Sequence, residues 1–180
     1  VLGGGFVPGS VVLIGGDPGA GKSTLLLQAC TKLAAKQSVL YVTGEESLQQ
    51  LALRAQRLKL PMDALNVAAE TRAEVIAHHI TTQKPRVVVL DSVQVLQMDG
   101  LESTPGSVTQ VRETAAFFTR LGKQQDVVII LVGHITKEGG LAGPKVLEHM
   151  IDCFMMLDSP AGRRYRTLRG HKNRFGAVNE

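Results

Sequence analysis

The chain has 180 residues, is 44% hydrophobic and carries a formal net charge of +4. That length suits one domain with a sizeable core, and no apolar run approaches the ~18 residues of a membrane-spanning helix, which excludes a protein built on such helices. The two cysteines, Cys30 and Cys153, lie in unrelated apolar stretches without CxxC spacing; they argue against a disulfide framework or zinc centre and read as core thiols.

The apolar run at 11–14 predicts a first strand, followed by a glycine-rich turn and a helix beginning "GKSTLLLQ". A second strand is predicted at 39–42. After it, Ser47 with Gln50 fits the S/T-x-x-E/Q capping box, and Leu48, Leu51, Ala52, Ala55 and Leu58 form the stripe of a helix lying on a core. Thr71 with Glu74, and Ser107 with Gln110, repeat the box and predict two further helices. Strands are predicted at 87–90 and 127–132, and a last apolar run at 153–157. Strands without polar alternation belong where both sheet faces are covered. The predicted fold is therefore α/β, a mostly parallel twisted sheet with helices on both faces, forming one domain over residues 1–180. The chain starts at Val1 rather than Met, so it reads as a piece of something longer, and no targeting segment is visible.

Between the first strand and first helix, Gly16, Asp17, Pro18, Gly19, Ala20, Gly21, Lys22 and Ser23 match G-x-x-x-x-G-K-[ST], and Thr24 follows in the helix. The glycines let backbone N–H groups turn inward around phosphate oxygens, and the helix N-terminus adds a positive dipole end. Lys22 suits the β- and γ-phosphates and Ser23 suits Mg²⁺, so the segment predicts nucleoside triphosphate binding. Asp91 closes the strand "VVVLD" in the Walker B manner, a carboxylate that can hold Mg²⁺ through water. Glu45 and Glu46 follow the second strand. Either could polarise an attacking water, and either could instead complement the dipole of the helix that starts after Ser47. His134, at the tip of the 127–132 strand, suits γ-phosphate sensing or a plain structural role. His78 and His79 carry no assigned role.

The segments "VLGGGFVPGSVVLIGGDPGAGKST", "YVTGEES", "DSVQV", "PGSVTQVRE", "VGHITKEG", "AGPKVLEHMID" and "KNRFG" together resemble the central RecA-like ATPase domain of the bacterial RadA (Sms) family. The resemblance covers essentially the whole chain in order, and "KNRFG" is a signature of that family. It implies a RecA-like P-loop core that uses ATP and Mg²⁺. It further implies a DNA-dependent ATPase of recombinational repair, cytoplasmic and assembled as a hexameric ring. Such proteins act on single-stranded and branched DNA through branch migration and DnaB-like translocation, with recombinase and replication-fork proteins as possible partners. For individual residues, the resemblance implies Glu45 as catalytic glutamate with Glu46 paired beside it and the choice between the two open, Lys22 on the phosphates, and Lys172 and Arg174 presented to a neighbouring subunit's γ-phosphate. Segments 96–106 and 135–144 correspond to the loops lining the central channel, and Lys137 and Lys145 are the predicted DNA contacts. The family's four-cysteine zinc finger and Lon-like C-terminal domain are absent from these residues.

Six cations, Arg163, Arg164, Arg166, Arg169, Lys172 and Arg174, crowd one acid-free stretch; without them the chain's charge would be −2. Three readings fit: a solvated edge strand, a surface that follows a nucleic-acid backbone, or trans-acting fingers at a neighbour's triphosphate. The last suits Lys172 and Arg174, while the four other arginines stay unassigned. An alternative function is an ATP-gated interaction module that assembles with DNA-bound partners and uses slow hydrolysis as a timer.

Overall fold

The structure, a computed structural model, describes residues 2–134, 147–159 and 165–178. In chain order the elements are β1 (Val11–Gly15), α1 (Lys22–Ala34), β2 (Val39–Thr43), α2 (Leu48–Arg57), β3 (Asn66–Ala69), α3 (Ala73–Gln83), β4 (Val87–Asp91), α4 (Val108–Gln125), β5 (Val128–Val132), β6 (Cys153–Asp158) and β7 (Thr167–Asn173). They form a seven-stranded sheet in the order β3-β2-β4-β5-β1-β6-β7. All neighbours pair in parallel except β6 and β7, which are antiparallel.

Two cores explain the unbroken apolar strands. Val11 and Leu13 of β1 pack with Ala73, Ile76 and Ile80 of α3 and Val111, Ala115 and Phe118 of α4. Val12 and Ile14, on the opposite face, pack with Leu26, Leu27 and Cys30 of α1 and Leu51 and Ala55 of α2. Side chains alternate in direction along a strand, so a sheet covered on both faces needs apolar residues at every position. Cys30 and Cys153 are both free and buried, as expected of core thiols, and burial pushes the Cys30 thiol up to about 12.

Several local expectations are corrected. The Ser47–Gln50 capping box forms in full, but Ser107 makes half of one: Gln110 N–H donates to its hydroxyl, while the Gln110 side chain turns to Leu96 O and Ser103. Thr71–Glu74 forms none. Arg72 occupies the N-cap position of α3, and Glu74 instead accepts the Asp99 N–H at 3.1 Å. Other partners outcompete the pattern at both positions: Leu96 and Ser103 for Gln110, and the adjacent Glu70 carboxylate, which accepts the Thr71 N–H at 2.9 Å, together with Asp99 at the second. The α2 stripe is also narrower than its spacing suggested: Leu51 and Ala55 are buried, while Leu48 is 46% exposed and Ala52 is exposed. Strand β3 carried no run of β-branched residues to announce it. Strand β7 matches the edge-strand reading of the basic stretch, with Arg169 facing solvent.

Candidate functional site

Parallel strands β1, β4 and β5 end on one sheet edge, which brings the segments after Gly15, Asp91 and Val132 together. Crevices at this edge are where open α/β sheets accept ligands. After β1 the backbone turns through Gly16, Gly19 and Gly21, with φ of 150°, 79° and 98°. A Cβ on Gly16 would overlap the Leu157 carbonyl oxygen of β6, so the turn is pressed against its neighbour strand. Gly21 is the N-cap of α1, which has neither a side-chain cap nor an acidic residue in its first turn. The first amides of α1 and the positive dipole end are thus left for an anion.

Lys22, only 3% exposed, folds back into this loop. Its Nζ donates to Gly16 O at 2.7 Å and Asp17 O at 3.0 Å, and lies 3.3 Å from His134 Nδ1. Burial lowers the Lys22 pKa, opposed by the charges of Asp91, Glu45 and Asp17. On its other side, His134 Nε2 lies 2.9 Å from Glu45 Oε1. One tautomer satisfies both contacts: Nδ1 accepts from the ammonium and Nε2–H donates to the carboxylate. Glu45 also accepts from the Ser92 hydroxyl. Burial alone would raise the Glu45 pKa, but the hydrogen bonds from Ser92 and His134 and the nearby Lys22 charge outweigh it and hold the carboxyl below its usual value.

The two adjacent glutamates therefore part company. Glu45 faces Lys22 and His134, whereas Glu46 pairs with Arg54 on α2 and has its N–H bound by Thr43 Oγ1 at 3.0 Å. Asp91, 6% exposed, closes β4 and accepts the buried Tyr41 hydroxyl at 2.6 Å. Among the described residues no cluster of three or more His, Cys, Asp or Glu could hold a metal by itself. The donor set instead offers one hydroxyl, Ser23, and one carboxylate, Asp91. That suits Mg²⁺, a hard ion that takes few protein oxygens and completes its shell with phosphate and water.

The predicted trans-acting residues are engaged within their own chain. Lys172 donates to Ile151 O at 2.8 Å and also to Glu148 O. Arg174 donates to Asp152 Oδ1 at 3.1 Å and lies 3.4 Å from His149 O. Asp152 is buried, and its Oδ2 accepts the Val11 N–H at 2.9 Å, so this link runs to the start of β1. The two cations thus hold the turn at 147–152 onto β7. Arg166 has a different neighbour: its guanidinium lies where a Cβ on Gly21 would project. Lys137, Lys145, Arg163 and Arg164 lie outside the described residues. Of the two predicted channel loops, 96–106 is tied at its start to α3, through an Arg72–Gln97 bridge and the Asp99–Glu74 hydrogen bond.

Sequence reasoning had passed over Ser92, Tyr41 and Arg54. Ser92 directly follows Asp91, and Tyr41 puts a hydroxyl into an otherwise apolar strand, so both left a trace in the sequence. Arg54 left none, being an ordinary helix-surface residue.

Comparisons with known proteins bear on the same region. The AAA domain family profile matches residues 1–140. DNA repair protein RadA of Escherichia coli is 62% identical over 180 residues, covering all of this chain and 39% of that protein. This chain thus spans about two fifths of that relative's length. Flagellar accessory protein FlaH of Methanocaldococcus jannaschii has a similar fold, with TM-score 0.72 and 18% identity over 96% of this chain and 82% of that one. A solved ATPase domain matches at TM-score 0.77 and 15% identity, over 97% of this chain and 80% of that one.

Proposed function

The chain belongs to the AAA domain family, and from that premise we propose that it is the Mg²⁺-dependent, DNA-stimulated ATPase core of a RadA-type DNA repair protein. The observation that carries the reading is the continuous set Lys22–His134–Glu45–Ser92 beside an uncapped helix N-terminus. One cation for phosphate, one carboxylate held as a base and a polar bridge between them suit phosphoryl transfer to water, a reaction catalysed mainly by positioning and electrostatics.

Under this proposal the turn 16–21 and the first amides of α1 take the phosphates. A triphosphate draws Lys22 away from Gly16 O and Asp17 O. Glu45 orients the attacking water and accepts its proton, while Ser92 and His134 fix the direction of the carboxylate. Ser23 and Asp91 would hold Mg²⁺, whose contribution is to neutralise charge on the phosphate oxygens. Glu46, turned to Arg54, orders the start of α2 and takes no direct part. Lys172 and Arg174 act in trans on a neighbour's γ-phosphate within a ring, and Lys137 and Lys145 meet single-stranded or branched DNA. Branch migration with DnaB-like translocation, a cytoplasmic setting and recombinase or replication-fork partners belong to the same proposal.

One observation favours the ATP-gated interaction module as a second reading: Lys172 and Arg174 are occupied in their own chain, as suits a subunit that turns over slowly until it assembles. ATP turnover at low salt, with and without single-stranded DNA and with oligomeric mass recorded, tests both. DNA-stimulated turnover that is lost in Lys22→Ala supports the motor. An intact ring that binds ATP without stimulation sinks the motor and leaves the switch.

A further inference from the structure

Strand β2 lies between β3 and β4, and Tyr41 at its centre is fully buried. Its ring packs in the core formed with α1 and α2, among neighbours such as Leu26, Leu51 and Val89. The strand around it is aliphatic: Val39, Leu40 and Val42. For packing alone, phenylalanine would serve. A hydroxyl buried without a partner is destabilising, so its presence in such a core calls for a bond that uses it. That bond goes to Asp91 Oδ2, at 2.6 Å.

The register accounts for the contact. Tyr41 stands opposite Val89 and Thr43 opposite Asp91, so Asp91 is the diagonal neighbour of Tyr41, two residues further along the same face. A tyrosine is long enough to bridge such a diagonal. A carboxylate otherwise turns through a broad, roughly two-fold torsion; a donor fixed to one oxygen selects one orientation.

We infer that Tyr41 is a positioning residue for the metal carboxylate: its hydroxyl fixes the orientation in which Asp91 meets the Mg²⁺ of a bound nucleotide. The inference rests on the Mg²⁺–ATP reading proposed above. Tyr41 touches neither nucleotide nor metal. It acts as the outer partner of a ligand, a type of residue whose loss weakens metal affinity while leaving the ligand itself in place.

The test titrates magnesium against binding of a fluorescent ATP analogue to the 180-residue chain and to its Tyr41→Phe variant, with thermal melting recorded for both. Tyr41→Phe is expected to raise the magnesium concentration at half-saturation by roughly tenfold, while nucleotide binding in EDTA stays unchanged. A lower melting temperature with an unmoved magnesium midpoint would make the hydroxyl purely structural and overturn the inference. A second readout needs no weakened variant. The chain has two tyrosines and no tryptophan, so in a Tyr165→Phe background Tyr41 is the sole tyrosine. Adding magnesium to the nucleotide-bound protein should then shift the tyrosine absorption, because charge arrives on the carboxylate that Tyr41 contacts. An unshifted spectrum at saturating magnesium also overturns it. If instead nucleotide binding ignores both magnesium and Lys22→Ala, the ATP reading itself has failed and takes this inference with it.

Discussion

The lowered pKa of Glu45 comes, against the opposing effect of burial, from donors on other elements, Ser92 beyond β4 and His134 beyond β5. Glu45→Gln keeps the shape and the hydrogen bonds but cannot accept a proton. It should lower kcat by about 10²–10⁴ with nucleotide affinity little changed, whereas Glu46→Gln should leave kcat within a few-fold. If Glu46→Gln proves the more damaging in steady-state assays, the roles are reversed. The pH dependence follows from the sign of the shift. A carboxyl held below its usual value remains ionised through neutral pH, and base-dependent turnover fades only as pH falls through that lowered pKa. Ser92→Ala removes one lowering bond and leaves the burial that raises the pKa. The acid limb of its kcat–pH profile should therefore move to higher pH; a limb that stays put counts against Glu45 as the base. This residue-level choice was hidden in the sequence because Glu45 and Glu46 are adjacent and chemically identical. The direction of each was set by a partner elsewhere, Arg54 for one and Ser92 and His134 for the other.

Helix α2 starts immediately after the two glutamates and carries both halves of its capping box: Ser47 N–H donates to Gln50 Oε1 at 2.8 Å, and Gln50 N–H donates to Ser47 Oγ at 3.2 Å. Removing the side-chain half with Ser47→Ala should cost about 1 kcal/mol in denaturant unfolding. An unchanged midpoint would mean that packing of Leu51 and Ala55 alone holds the helix. The same S/T-x-x-E/Q pattern read equally well at Thr71 and failed there: Glu70 Oε1 accepts the Thr71 N–H at 2.9 Å, and Glu74 accepts the Asp99 N–H. Capping patterns are legible when nothing distant competes for the side chain, and the sequence does not say where that holds. Strand β7 makes a similar point. Its charge was plain in the sequence, but the hydrogen bonds of Lys172 and Arg174 to the 147–152 turn depend on β7 folding back antiparallel beside β6.

At the scale of the whole molecule, those cis contacts bear on assembly. If Lys172 must leave Glu148 O and Ile151 O to reach a neighbour's nucleotide, ring formation and rearrangement of the 147–152 turn are coupled. Mixing Lys22→Ala chains with Lys172→Ala chains should restore part of the ATPase activity, since one interface can then combine an intact nucleotide loop with an intact Lys172. Mixed oligomers that form without recovering activity would confine Lys172 to its structural role. The sequence by itself determined the α/β class, the two-sided core, the glycine-rich turn ahead of α1 and the aspartate that closes β4. In each case the determining residues are neighbours along the chain: an apolar run, a glycine–lysine–serine turn, an aspartate at the end of a strand. Tertiary structure alone decided which glutamate faces Lys22, that His134 bridges Lys22 and Glu45, and that Tyr41 holds Asp91. It also split the basic stretch, placing Arg166 at the phosphate loop, Arg169 in solvent, and Lys172 and Arg174 on the 147–152 turn. These contacts join residues dozens of positions apart or depend on strand register, and no local pattern of hydrophobicity or charge encodes which distant partner a polar side chain will meet.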